Sequence, residues 1–457
     1  MTLISGGAPG GAERTETVTL AGGTLAFSDA GTVGNNITVS ADATISNSAN
    51  VTLSGQISGS GALTKAGAGT MTWSPGHDTP PNTHSGALTV SEGVLAVSGG
   101  SSIGDDSAVT VNSGATLSLT LGNETIGSLS GSGAVALTYG LTVGNASNTV
   151  FSGVISSTNS SGINKVGSGT LALSGANTYT GSTTVSAGKL LLQGGSAIAD
   201  SSVVSISAGA ELELRDNDEE VGSVAGAGTL TLNGASLTVG GNNRSETFSG
   251  VIQDSGGLTK VGTGKLTLSG NNTYAGATDV LAGGLSITGD SNLGSGALTL
   301  NSGTLSVTGD GANIDNAISL SFNGGVVNVG TGVAATLSGV VSGPGDLTKA
   351  GAGRLALSGT NTFSGSLSVT DGTLAFGANN NISSTSGLTL DGGTLASTAT
   401  VSYAKAITLG TNGGTLNLSS GSMTLSGVIS GSGSLTSTST NAVTALTLSG
   451  INTYTGG

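Results

Sequence analysis

FSGVISSTNSSGINKVGSGTLALSGANTYTGSTTVSAGKL, residues 151–190, decides how this chain is read, because it occurs in five copies. The other copies begin near Leu53, Phe248, Leu337 and Leu425, so successive starts are separated by 98, 97, 89 and 88 positions. A long imperfect repeat fixes the architecture before any single motif is interpreted. Within and around it, apolar residues stand two apart with Thr or Ala between them, as in Leu25-Ala26-Phe27, Ile37-Thr38-Val39 and Leu171-Ala172-Leu173. That alternation marks short strands with one buried face. Gly, Asn and Asp break the strands every few residues and supply turns. No amphipathic helix is found.

The inward pairs of the second copy give the length of one coil. Leu171/Leu173 lead to Leu190/Leu192, Leu212/Leu214, Leu230/Leu232, Phe248 and Leu266/Leu268, in successive steps of 19, 22, 18, 18 and 18. The spacing predicts an all-β, parallel β-solenoid with coils of about 19 residues, five to each long repeat. Each strand would pair with the next coil, which satisfies its backbone groups and needs only tight turns. A string of β-sandwiches would show turns every 8–12 residues without this beat.

Composition narrows the class further. The 457 residues include 83 glycines but only 5 prolines, which excludes collagen. Regularly spaced Val, Leu and Ile exclude a disordered polar chain. With no cysteine there are no disulfides or thiolate metal sites, a composition that suits export. The net charge of −14 disfavours nucleic acid and anionic lipid as partners. No apolar run approaches the roughly 18–20 residues of a membrane span, so direct membrane insertion is not expected. The N-terminus lacks a basic segment followed by an apolar one. The C-terminus stops inside a repeat, at Ile451-Asn452-Thr453-Tyr454-Thr455-Gly456-Gly457. Both ends predict a fragment: a flexible segment over 1–17, then one continuous solenoid over 18–457 cut short at its C-terminus.

Four strings, LTKAGAG (63–69), INKVGSG (163–169), LTKVGTG (258–264) and LTKAGAG (347–353), are each followed by a strand. Then comes NTHSG (82–86), NTYTG (177–181), NTYAG (272–276) or NTFSG (361–365). This order resembles the passenger-associated repeat of autotransporters, the type V secreted proteins of Gram-negative bacteria. The resemblance covers nearly the whole chain from about residue 18. It implies a single-stranded, right-handed parallel β-helix passenger, carried to the cell surface or released, with a translocator barrel outside this chain. The fifth copy departs from the pattern. Ser437 stands in the lysine position and STSTNAVTA (437–445) replaces the Lys-x-Gly-x-Gly turn.

The candidate residues divide into repeated and solitary ones. Lys65, Lys165, Lys260 and Lys349 could form a basic stripe for sulfated glycans. At five coils apart they would lie roughly 23 Å from one another, well beyond the ~8 Å screening length. A local role is expected, with the aliphatic stem over the core edge and the ammonium at the turn. Asn82, Asn177, Asn272, Asn361 and Asn452 are too far apart for a mutual ladder, and each is expected to bond its own turn. Tyr179, Tyr274, Phe363 and Tyr454 occupy one ring position, which His84 fills in the first copy. His77 and Asp78 lie on an extra loop, 74–81, the most plausible special patch, where a solvated loop outweighs a metal site. The acidic run Glu211, Glu213, Asp216, Asp218, Glu219, Glu220 lacks the EF-hand glycine and distal Glu and predicts a solvated acidic turn. Gly289-Asp290-Ser291-Asn292-Leu293 resembles a GDSL esterase motif, but no histidine follows to act as base.

No enzyme, cofactor or metal is therefore expected. The predicted function is a non-enzymatic passenger stalk presenting a polar surface to host or neighbouring cells, or to copies of itself. Two alternatives are the stem of an enzyme or toxin whose effector lies elsewhere, and a component of a surface layer or filament.

Overall fold

The computed structural model describes residues 17–74, 82–100 and 102–457. The expected flexible segment thus lies almost wholly outside the described residues. Contacts divide the chain into two units, one running to Ala235 and the other spanning Ser236–Gly457.

Unit 1 is a stack of short strands in parallel ladders. One ladder contains Leu63–Ala66, Leu88–Val90, Ala108–Val111, Ser128–Gly131, Thr149–Phe151, Thr170–Leu173, Lys189–Gln193, Glu211–Arg215 and Thr229–Thr231. A second runs from Val51–Leu53 through Thr70–Trp73, Val94–Ser98, Thr116–Leu121 and Ala134–Leu137 to Val154–Ser157. A third runs from Glu124–Ile126 through Leu141–Val143, Ile163–Lys165 and Thr183–Val185 to Val203–Ile206 and Ser223–Gly226. The predicted leucine rows are in register: Leu171 faces Leu190, Leu190 faces Leu212, and Leu212 faces Leu230.

Unit 2 is built the same way. Its longest ladder begins at Glu246–Phe248, Lys265–Leu268 and Gly284–Ile287 and continues through Leu347–Ala350 to Ile429–Gly431. Leu237–Val239 to Val341–Ser342 and Ala312–Ile314 to Leu435–Thr438 form two more. Alternation places most Leu, Val and Ile inward in both units, where they are almost fully buried. Each contributes about 1.5–3 kcal/mol. Among the described residues the helical elements are two three-residue 3-10 turns, Asp290–Asn292 and Asn379–Asn381. None of the helices is long and apolar enough to cross a membrane.

Successive coils are about 20 residues apart, slightly more than the expected spacing. Phe248 lies opposite Leu268, not Leu266, which lengthens that step by two positions. The step from Lys65 to Val90 is longer again, because the extra loop falls within it. This difference moves the repeats around the coil. Lys65 shares a ladder with Val90, Val111, Gly131 and Phe151, whereas Lys165 stands in the ladder of Val143 and Val185. In unit 2, Lys260 is aligned with Val280 and Leu300, and Lys349 with Val369 and Leu390. One long repeat is therefore not five whole coils, and within each unit the equivalent lysines belong to different faces.

Candidate functional site

Leu/Ile-x-Lys is a strand in which the lysine shares the inward face with the aliphatic residue two before it. All four lysines are accordingly at most 1% exposed. Each is stacked between aliphatic residues of adjacent coils: Ile45 and Val90 for Lys65, Val143 and Val185 for Lys165. Val239 and Val280 flank Lys260, and Val327 and Val369 flank Lys349.

The ammonium emerges at the turn and donates to three backbone carbonyls. Lys349 Nζ reaches Ala350 O at 2.9 Å, Gly351 O at 2.6 Å and Asp371 O, one coil on, at 3.1 Å. Lys165 Nζ reaches Val166 O at 2.7 Å, Gly167 O at 3.0 Å and Ala187 O at 3.1 Å. Lys65 uses Gly67, Gly69 and Glu92, and Lys260 uses Val261, Gly262 and Ala282. Three donors thus meet three acceptors, and one of them always belongs to the next coil.

The glycines of Lys-x-Gly-x-Gly make this clamp possible. The first has φ between +65° and +78° in all four copies, the left-handed region that favours glycine. The next coil contributes Gly93, Gly188, Gly283 or Gly372, where an added Cβ would collide with carbonyl oxygens of the lysine turn. Burial lowers the proton affinity of the lysines, taking Lys65 and Lys349 to about 8, against the pull of Glu92 and Asp371. These ammonium groups form no surface stripe for an anionic glycan.

The asparagines do not bond their own turns, contrary to expectation. Asn177 Oδ1 accepts from Ile155 N at 2.7 Å in the coil before, while Nδ2 donates to Ala197 O at 2.7 Å in the coil after. Asn82 links Ile57 N and Ser102 O, both at 2.7 Å. Asn272 links Ile252 N (2.8 Å) and Asn292 O, and Asn361 links Val341 N (2.8 Å) and Asn381 O (2.7 Å). Asn452 accepts from Ile429 N at 3.0 Å. Parallel stacking presents an N–H on one side of a buried amide and a C=O on the other. An amide carries the matching acceptor and donor, so it staples three coils.

Two residues beyond each asparagine lies the ring. Tyr179, Tyr274 and Phe363 are fully buried, and Tyr454 is half-exposed. Tyr179 and Tyr274 meet Thr183 and Thr278 at 2.7 and 2.6 Å. Phe363 shows that the position accepts a ring without a hydroxyl. Tyr179→Phe, which leaves Thr183 its bond to Ser202, should therefore cost only about 1 kcal/mol in a denaturant titration, the value of one buried hydrogen bond. In the same position His84 is buried, with Nε2 2.9 Å from Gly61 O.

His77 and Asp78 lie outside the described residues. Among those described, no cluster of His, Cys, Asp and Glu could hold a metal. The acidic run is only partly a solvated turn. Asp216, Asp218 and Glu220 are exposed, but Glu213 is buried between Lys189 and Arg215, each at 2.6 Å. Lys189 also pairs with Glu211 at 3.1 Å. The reason is placement: Lys189 stands beside Glu211 on the adjacent coil, and Arg215 lies two residues beyond Glu213 on the same face of its strand.

Glu219, and with it Glu124, is an inward residue that the sequence reading overlooks. Both are buried, and each accepts two backbone N–H groups of the coil before. The signal is present in Glu124-Thr125-Ile126 and Glu219-Glu220-Val221, where period two puts Glu on the side of the aliphatic residue. The Gly289–Leu293 motif forms a 3-10 turn in which Asn292 Oδ1 accepts from Thr288 N and Gly289 N, a structural role.

Stacked parallel coils, clamped by lysines at glycine turns and stapled by asparagines, define a β-solenoid built from repeats. The passenger-associated-transport-repeat model matches residues 63–97, 163–192, 258–287, 347–376 and 445–457. The first four matches each contain one lysine clamp; the fifth resumes just past the position where Ser437 replaces lysine. A relative, the adhesin BmaC autotransporter of Brucella suis biovar 1 (strain 1330), is 33% identical over 332 residues, which is 68% of this chain and 10% of that protein. The chain spans about a tenth of that relative's length. No solved structure matches it. The chain carries the passenger-associated transport repeats found in autotransporter passengers and is similar to one such protein over 332 residues.

Proposed function

We propose that this chain is a non-enzymatic stretch of passenger stalk that presents a polar surface for adhesion or self-association at the cell surface of a Gram-negative bacterium. The observation that carries this reading is where the reactive-looking side chains go. The four motif lysines, the asparagines and the two buried glutamates are bound to backbone groups of neighbouring coils, and three of the four rings are buried. What faces outward is mostly Ser, Thr, Asn and Ala from alternating strand positions. Such a surface binds through many weak polar contacts, so avidity dominates over any one pocket. The relative described as an adhesin supports the same reading. Its translocator barrel would lie outside these residues, and its partners would be molecules of host or neighbouring cells, or other copies of the chain.

The test is to couple the purified chain to beads at several densities and to score capture of host and bacterial cells, with sedimentation of the free chain in parallel. Density-dependent capture or concentration-dependent association is expected. A chain that stays monomeric and captures no cells at any density overturns the proposal and favours a stem that only carries an effector.

A further inference from the structure

We propose that Glu124 and Glu219 are proton-responsive clasps that set how firmly the turns around Ser102-Ile103 and Ala197-Ile198 are seated in unit 1. Glu124 Oε1 accepts from Ile103 N at 2.9 Å and Oε2 from Ser102 N at 3.3 Å. Glu219 does the same with Ile198 N at 2.7 Å and Ala197 N at 3.3 Å. The carbonyls of Ser102 and Ala197 are meanwhile held by Asn82 and Asn177 from the coil before. Each turn is thus gripped from both sides, by an amide that cannot titrate and a carboxyl that can.

The surroundings are alike in burial and in a nearby like charge, but the buried ring position that Tyr179 fills in the second copy holds the titratable His84 in the first. Glu124 and Glu219 are 1% and 3% exposed. Asp105 faces Glu124 and Asp200 faces Glu219, each from the preceding coil and each a like charge. The buried Tyr179 phenol also lies within reach of Glu219, and the exposed Asp218 and Glu220 flank it in sequence. Glu124 is aligned with the apolar Leu141 on the following coil. No cation acts on either carboxyl among the described residues. Unit 2 lacks the device. The positions at the same offset from Asn272 and Asn361 are Ile314 and Tyr403, both buried.

Burial is the larger influence and raises both carboxyls to about 7, against the backbone N–H groups, with the aspartate adding to the rise. In an opened coil each would return to 4.5. The folded value is the higher one, so the closed coil retains a proton that the open coil releases. The added hold is complete below about 4.5 and is lost as pH rises through about 7. The clasps therefore close more firmly in mild acid and loosen above neutrality.

The test is native-state amide exchange on the full chain from pH 5 to 8.5, corrected for intrinsic chemical rates, on wild type and the Glu124→Gln/Glu219→Gln variant. Protection at Ser102, Ile103, Ala197 and Ile198 is expected to fall about tenfold or more across that range. Protection at Asn292 and Leu293 in unit 2 should hold steady, and the variant should lose the dependence. If the double variant does not fold, Glu124→Ile, which installs the residue found at the matching position of unit 2, and Asp105→Asn provide the readout. The first should flatten the dependence at Ser102 and Ile103, and the second should shift its midpoint to lower pH. Equal protection at pH 5 and 8.5 in wild type, or an unchanged dependence in the variants, overturns the proposal.

Discussion

Lys349→Met should destabilise unit 2 by about 2 kcal/mol or more, whereas Lys265→Met, at an exposed position of the same unit, should stay within about 0.5 kcal/mol. Methionine preserves the apolar stack between Val327 and Val369 but cannot donate to Ala350, Gly351 and Asp371. Two effects oppose each other. Removing a buried ammonium relieves the cost that draws Lys349 from 10.5 to about 8, worth about 3 kcal/mol. Against this stand three charge-assisted hydrogen bonds at about 1.5–3 kcal/mol each, and the loss leaves two adjacent turns without the donor that joins them. The bonds win. Urea titration of both variants, read by circular dichroism, measures the difference. A Lys349→Met chain as stable as wild type would reduce the clamp to a packed aliphatic stem.

The same residues show how far the sequence can be read. Leucine rows such as Leu171, Leu190 and Leu212 are legible because burial forces period two along a strand and a fixed return between coils. The lysine and ring positions are legible because they recur within one chain. The coil length reads slightly short from sequence, because turns vary and Phe248 pairs with the second leucine of Leu266/Leu268 instead of the first. That small error places equivalent lysines above one another, whereas within each unit they occupy different ladders. The asparagine contacts escape for a different reason. Sequence proximity favours a side chain bonding its own turn, but in a parallel stack the unpaired groups nearest a buried amide belong to a neighbouring coil. Glu219 is hidden by its exposed acidic neighbours, although its alternation with Val221 already marks it as inward.

Asn177→Ala should destabilise unit 1 by about 3 kcal/mol, and Asn177→Asp should do so in a pH-dependent way that separates the two halves of the staple. Alanine leaves Ile155 N–H and Ala197 C=O buried without partners, each at about 1–3 kcal/mol. Aspartate keeps an acceptor for Ile155 N–H but turns a carboxylate oxygen towards Ala197 O, and the two repel. Protonation restores a donor there. The folded state therefore binds that proton more tightly than the unfolded chain, whose aspartate titrates near about 3.9. The Asp variant should approach wild type below that value and lose stability as pH rises through the raised folded one. Because Glu124 and Glu219 titrate in the same unit, the quantity to compare is the difference between variant and wild type, measured by denaturant unfolding from pH 3.5 to 7.5. A difference that does not change with pH would mean that the amide holds its neighbours by packing alone, and the three-coil staple would have to be abandoned.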